Sequence, residues 1–340
     1  MFVFIGLGLF LLAGSLLPVK KQSIHLFISF VILFILFAFR GVSVGTDTAN
    51  YLIFFNNILN DAGWVRFTME PGWVFLNDFV VYLGGNFNDL LVLVGFLIFI
   101  PLFYLAKKYS YNPMLTIALY YLLYFNFLTW NITRQSVALI IILFGFVLLL
   151  KNKKVLFVAS TILASTFHLS ALVTLPLVFY KRVPENKQLL FMLGCCTIPI
   201  GLLFFSYFSL IIDLIGYGNY LADFKPGNLL GNFAFLIIFN AFFGYILLTS
   251  KDVTPEIKLF FIFVIIMNLT IRIPFGNRIL FYFSIYQVLF YPYYLYCLKS
   301  SKHFDFIVSS IIIMLFSFVL FISKIGSGSG QVLPYASTLF

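Results

Sequence analysis

Read for apolar and polar positions alone, the chain is a series of long apolar runs cut by short polar stretches. Runs of roughly 17–25 apolar residues have the length of a helix that crosses a bilayer. The pattern predicts such helices over about 2–17, 24–39, 89–106, 113–128, 136–150, 188–208, 231–249, 257–271, 279–298 and 304–322. Residues 155–180 break the rhythm, because they lie between two basic clusters yet number only 26. Two straight crossings of a core about 30 Å thick need about 40 residues. The stretch is therefore expected to form two short helices meeting partway or in an outward-facing cavity, with the break at Ser165-Thr166-Phe167-His168. Such a break is tolerated at depth only where it is buried in protein or lines water. Counting this pair as two gives about twelve segments, an all-α polytopic integral membrane protein with one transmembrane domain over 1–340. The longest polar interruption, 40–88, reads as an outer segment, and within it 71–83 predicts a short amphipathic helix with Pro71 in its first turn.

Composition agrees. Of 340 residues, 62% are hydrophobic and 9% charged, where a soluble domain would carry about 25% charged residues. The net charge of +10 does not imply nucleic acid, because the lysines sit in short clusters between apolar runs, as orientation signals do. Placing those clusters in the cytoplasm puts 13 of the 15 lysines inside and both termini outside. Five of the six arginines then fall outside, and so do Trp64, Trp73 and Trp130, where interface aromatics are expected. Cys195, Cys196 and Cys297 lie within apolar runs and read as buried small hydrophobes. The first 17 residues lack a basic start and a small-residue cleavage site, so they read as a retained helix. There is no internal repeat and no soluble domain.

The outer arginines oppose the positive-inside bias and need another reason. Arg40, Arg134, Arg272 and Arg278 each stand at the outer end of an apolar run. Arginine there must snorkel, pair with an acid or bind an anion, and four from separate helices suit phosphate or pyrophosphate. The outer acids Asp47, Glu70, Asp78 and Asp89 are the alternative partners. Asp47 and Glu70 are candidate general bases, although Asp47 also stands where it would cap a helix starting near Thr48. His168 falls at the predicted break, on the outward side, as a buried structural residue or a catalytic one. The sequence holds no glycine-rich nucleotide loop, no HExxH and no DxD pair, so neither a metal nor another cofactor is expected.

Five ordered motifs carry a resemblance over essentially the whole chain. They are Arg40-Gly41 with Gly45-Thr46-Asp47-Thr48…Asn50-Tyr51, then Glu70-Pro71-Gly72-Trp73, Asn131-Ile132-Thr133-Arg134-Gln135, Phe167-His168-Leu169-Ser170-Ala171 and Leu333-Pro334-Tyr335. In this order they resemble the EpsG family, grouped with the Wzy-like polymerases of bacterial exopolysaccharide, capsule and O-antigen. Ala336 departs from the basic residue that often follows the tyrosine. The resemblance implies an enzyme of the bacterial inner membrane that joins oligosaccharide repeat units carried on undecaprenyl pyrophosphate at its outer face. It implies a growing polysaccharide as second partner, with a chain-length regulator and a flippase nearby, membrane lipid around it and no nucleic acid. Arg40, Arg134, Arg272 and Arg278 would hold the pyrophosphate, and Asp47, His168 or Glu70 would take the acceptor proton. Tyr51, Trp64, Trp73 and Tyr335 would stack on sugars or anchor the interface. Another lipid-linked glycosyltransferase or ligase, a flippase of lipid-linked sugars and a membrane acyltransferase are the competing readings.

Overall fold

A computed structural model of the chain describes residues 1–61, 63–214, 229–273, 276–299 and 302–339, and the backbone alone of 204–214 and 229–232. The loop expected to carry Asp223 and Lys225 lies outside the described residues, as do Pro274 and the side chain of Asp213. Among the described residues the fold is helical throughout, and one antiparallel bridge, Arg40 to Ser337, is its only extended pairing.

The first helices are α1 (Phe2–Leu16), α2 (Ser23–Ala38), α3 (Thr48–Leu59) and α4 (Pro71–Tyr82). There follow α5 (Phe87–Tyr109), α6 (Pro113–Leu122), α7 (Phe125–Asn131), α8 (Thr133–Leu150) and α9 (Lys154–Ser165). After a 3₁₀ helix over Leu169–Arg182 come α10 (Lys187–Leu214), α11 (Leu229–Thr249) and α12 (Pro255–Thr270). The last are α13 (Gly276–Ser284), α14 (Gln287–Lys299) and α15 (His303–Gly326). Local chemistry sets several starts. Asn86 and Asp89 form a reciprocal capping box at α5, and Asn112 followed by Pro113 opens α6. Asp89 is thus a cap, not an arginine partner.

Among the described residues α5, α8 and α15 are long and apolar enough to cross a membrane unaided; other apolar helices, such as α1, α2, α6 and α9, are shorter. This is a multi-pass membrane protein, and two of the expected segments are each divided into two helices. The span expected over 113–128 stops at Leu122, and Tyr124 takes a left-handed backbone (φ 74°) before α7 begins. The span expected over 279–298 is divided between α13 and α14 at Ile285-Tyr286. An unbroken apolar run does not distinguish one helix from two set end to end. The break predicted at 165–168 is present, with α9 on one side and the 3₁₀ helix on the other.

The basic clusters gather at one end of the molecule. Lys108 and Lys151 both lie over the Tyr109 ring, at 5.6 and 4.1 Å. Lys258 donates to Glu185 at 2.8 Å, Lys187 to the Ser250 carbonyl, and Lys302 to the Thr249 carbonyl at 2.9 Å. The other end collects the arginine turns. Helix α8 joins the two, from Arg134 to Lys151, over about 27 Å at 1.5 Å per residue.

The C-terminal tail is stitched across the arginine end. The Gly41 amide donates to the Ala336 carbonyl (2.8 Å), the Thr338 amide to Phe39 (2.9 Å), and the Gly45 amide to Gln331 (3.1 Å). Phe4 packs on both Trp130 and Tyr335, so the two chain ends meet there. Gly45 has to be glycine: its φ is 92°, and a Cβ would stand 2.3 Å from the Trp130 carbonyl oxygen. Two expectations about side chains are corrected. Trp73 and Trp130 are buried in the protein and only Trp64 is exposed; Cys196 and Cys297 lie on the protein surface. Tryptophan at a helix end packs inward when the neighbouring segment, here α3 or the tail, folds over it.

Candidate active site

Glu70 stands at the N-cap of α4, where its backbone is extended and its side chain makes no cap. That frees the carboxylate to face the break between α9 and the 3₁₀ helix. The approach is close because Gly72 has no side chain: its amide donates to the Thr166 carbonyl at 2.7 Å, and a Cβ there would lie 2.8 Å from that oxygen. His168, in extended backbone just after the break, sets its Nδ1 3.1 Å from Glu70 Oε1. The Leu169 amide donates to the same oxygen at 3.4 Å. Arg134, in the first turn of α8, forms an ion pair with the other oxygen, Oε2. Three of the candidates chosen from distant parts of the sequence therefore meet at one carboxylate, all of them largely but not wholly buried.

The ionisation of Glu70 sets the tautomer of His168. Burial pushes the Glu70 carboxyl up, but the His168 hydrogen bond and the Arg134 charge outweigh it and hold the carboxyl at about 2. An ionised carboxylate only accepts, so His168 Nδ1 carries the proton and donates. In the neutral ring Nε2 then holds the lone pair, and it has no hydrogen-bond partner among the described residues. The arrangement presents a positioned proton acceptor, with a carboxylate behind it that fixes its tautomer.

A second layer holds this centre. Ser170 Oγ donates to the Tyr282 hydroxyl at 3.2 Å, and that hydroxyl also lies beside Gln135 and within electrostatic reach of Glu70. Gln135 Nε2 donates to the Arg278 carbonyl at 2.6 Å. Arg278 is exposed in the first turn of α13, one turn before Tyr282. Ser170, Gln135 and Tyr282 were not singled out from the sequence, although the first two lie in the motifs that flagged His168 and Arg134.

The remaining candidates are placed differently. Tyr51 is buried beside Arg134 and packs on Trp73 at 5.1 Å; burial pushes its phenol up, with Arg134 opposing. Asp47 is half-exposed one turn before Tyr51, occupies the N-cap of α3 without capping it, and accepts from Thr46 Oγ1 at 3.3 Å. Arg40 is 1% exposed. Its guanidinium donates to the Phe37 carbonyl at 2.6 Å and to Thr133 Oγ1 at 3.5 Å, and lies 4.3 Å from the Phe37 ring centre. Arg272 donates to the Leu202 carbonyl at 3.1 Å, joining the end of α12 to α10, and is not among the groups that touch Glu70. Tyr335 packs on Trp130 at 5.5 Å and donates its hydroxyl to the Leu36 carbonyl at 3.0 Å.

No curated protein and no solved structure matches the chain. A family model described as the EpsG family matches residues 23–337 and so takes in every group that meets at Glu70. Matched over nearly its whole length, this multi-pass membrane protein belongs to the EpsG family.

Proposed function

We propose that the protein is a Wzy-like glycan polymerase. It joins oligosaccharide repeat units carried on undecaprenyl pyrophosphate, at the outer face of the bacterial inner membrane, with both termini outside. The observation that carries this reading is the Glu70 carboxylate bridging His168 Nδ1 and Arg134, which leaves Nε2 of the neutral ring to serve as the proton acceptor in this scheme.

In the reaction an acceptor sugar hydroxyl gives its proton to Nε2 while its oxygen bonds to the anomeric carbon of the donor. The bond from that carbon to the diphosphate oxygen breaks, and its electron pair leaves with the diphosphate. Arg278 and Arg134, with Arg272 further out, offset the charge that grows on the leaving group. The energy lies in the bond that breaks, so the scheme needs no nucleotide, and it assigns the leaving-group charge to the arginines instead of to a metal or other cofactor. Glu70 is a positioning residue in this scheme, and its lowered pKa makes it a weak base, which suits that role better than proton abstraction. Asp47 is the second candidate base. Arg40, Tyr51 and Tyr335 support the site through the packing of α2, α3 and the tail. The growing polysaccharide, a chain-length regulator and a flippase are its proposed partners.

The test is incubation of purified protein with a lipid-pyrophosphate repeat unit, without nucleotide and in the presence of a chelator. A ladder of repeats is expected, and His168→Gln should lower its rate by about 10²–10⁴ at equal protein level. A single addition, or an unchanged ladder from His168→Gln, would overturn the proposal.

A further inference from the structure

Behind the charged cluster lies a cavity of about 520 Å³. Its walls are apolar, with Phe235, Phe239, Phe263, Met267, Phe316 and Leu320. The end we take as its mouth, nearest the arginine turns, is polar, with Thr46, Asn131, Asn277, Lys324 and the tail residues Ser329 and Gly330, while Ser284 and Gln287 add polar groups along the wall. The size suits a ligand of several hundred daltons or one length of a longer chain. The combination of an apolar shaft and a polar mouth carrying a lysine fits an amphiphile with an anionic head.

Helix α13 is the partition between cavity and cluster. Asn277, Leu280, Phe281 and Ser284 line the cavity, spaced i, i+3, i+4 and i+7, which is one face of a helix. Tyr282 and the Arg278 carbonyl turn to the other side, toward Ser170 and Gln135. The α7–α8 junction divides in the same way: Asn131 is at the cavity mouth, while Arg134 and Gln135, three and four residues on, belong to the cluster. A helix with its side chains is about 10–12 Å across, so the cavity and Ser170, two residues from His168, are held about one helix width apart by α13.

We propose that this cavity seats the isoprenoid chain of the donor, the substrate whose sugar–diphosphate bond breaks. The inference rests on the polymerase reading and assigns one of its two lipids. The donor reacts at the carbon bonded to its diphosphate, so its lipid begins just beyond the reaction centre. The acceptor reacts through a hydroxyl of its sugar, so its lipid lies a whole oligosaccharide away. A lipid site one helix width from the segment that carries the proton acceptor therefore belongs to the donor. The tail forms the lip of the mouth: a Cβ on Gly330 would stand 2.3 Å from Asn131 Nδ2, so the backbone there lies directly on the asparagine.

The probe is sugar-free undecaprenyl diphosphate carrying a photoreactive group within its chain, used with the full-length protein in nanodiscs. Labelling is expected on peptides of α11, α12 and α15, and excess unlabelled undecaprenyl diphosphate should abolish it. Phosphatidylglycerol at the same concentration should not; equal competition would mean a pocket for bulk acyl chains and would overturn the proposal. Ser284→Phe, which fills the cavity from its α13 wall, should reduce labelling at least tenfold. Met267→Trp, which fills it from α12, should do the same and serves if the first variant does not fold. Labelling confined to helices that do not line the cavity, or undiminished labelling of a folded cavity-filled variant, would also overturn it. Because the probe has no sugar, these results are independent of the ladder assay. A wild type that labels in the cavity but makes no ladder removes the polymerase reading alone, and a ladder with labelling elsewhere removes only the cavity assignment.

Discussion

Gly72→Ala is the sharpest test of how the site is assembled. The added methyl would meet Thr166 Oγ1 at 2.7 Å, the Thr166 carbonyl oxygen at 2.8 Å and its carbon at 3.1 Å, where ordinary contact begins at 3.4 Å. The shortfall against the backbone oxygen is about 0.6 Å, and neither α4 nor the break can rotate that carbonyl away without losing the 2.7 Å bond from the Gly72 amide. Overpacking of this kind costs about 1–3 kcal/mol. Moving the root of α4 outward by the shortfall stretches the 3.1 Å contact from His168 to Glu70 to roughly 3.7 Å, beyond hydrogen-bond range. Catalytic misplacement on the order of 1 Å costs about 10²-fold, so polymer formation should fall by one to two orders of magnitude in protein that still folds. The assay is ladder formation at matched protein level, alongside a melting curve. Thr166→Ala removes only the hydroxyl and should not rescue Gly72→Ala, because the carbonyl remains. Full activity of Gly72→Ala, or rescue by Thr166→Ala, would refute the reasoning.

Three further outcomes can be checked. The Glu70 carboxyl is held at about 2 against an ordinary 4.5, so its contribution to stability is fully present above 4.5 and is lost as pH falls through about 2. The gap in melting temperature between wild type and Glu70→Gln should therefore narrow steadily below pH 4.5, and a gap independent of pH would contradict the lowered pKa. Gly45→Ala should cost more than the roughly 1–2 kcal/mol of left-handed backbone alone, because its methyl would also meet the Trp130 carbonyl at 2.3 Å; a wild-type melting temperature would refute this. Tyr335→Phe removes the bond to Leu36 and keeps the ring packed on Trp130. It should lower stability by about 1 kcal/mol with KM unchanged, whereas a raised KM would make Tyr335 a sugar contact.

Much of the site was legible because its signals were matters of charge and sidedness. Arginine where the orientation rule calls for none, an acid before Pro71 and a histidine in a stretch too short for two crossings each stood out separately. Sidedness put them at one end, and the close approach of α4 to the break at Gly72 brings Arg134 and His168 to one carboxylate. What stayed hidden was packing. Arg40 carries the same sequence signal as Arg134, yet the return of the tail over Phe39 and Gly41 buries it, and no local pattern announces a contact across some 300 residues. Trp73 and Trp130 read as interface anchors until α3 and the tail cover them. The breaks at Tyr124 and at Ile285-Tyr286 fall inside apolar runs with neither glycine nor proline to mark them. Tyr282 looked like one more aromatic in such a run, because only the folded chain brings Ser170 to its hydroxyl.

Helix α4 has one more property with a consequence. Its inner face buries Trp73, Leu76 and Val80, but its outer face leaves Phe75, Phe79 and Tyr82 exposed, next to exposed Trp64 and Phe67. Five large apolar groups facing outward at the arginine end are stable only against acyl chains and headgroups. The helix that presents Glu70 to His168 is thus gripped by protein on one side and by lipid on the other. Lipid packed against Phe75, Phe79 and Tyr82 therefore helps to fix α4, and with it the position of the Glu70 carboxylate.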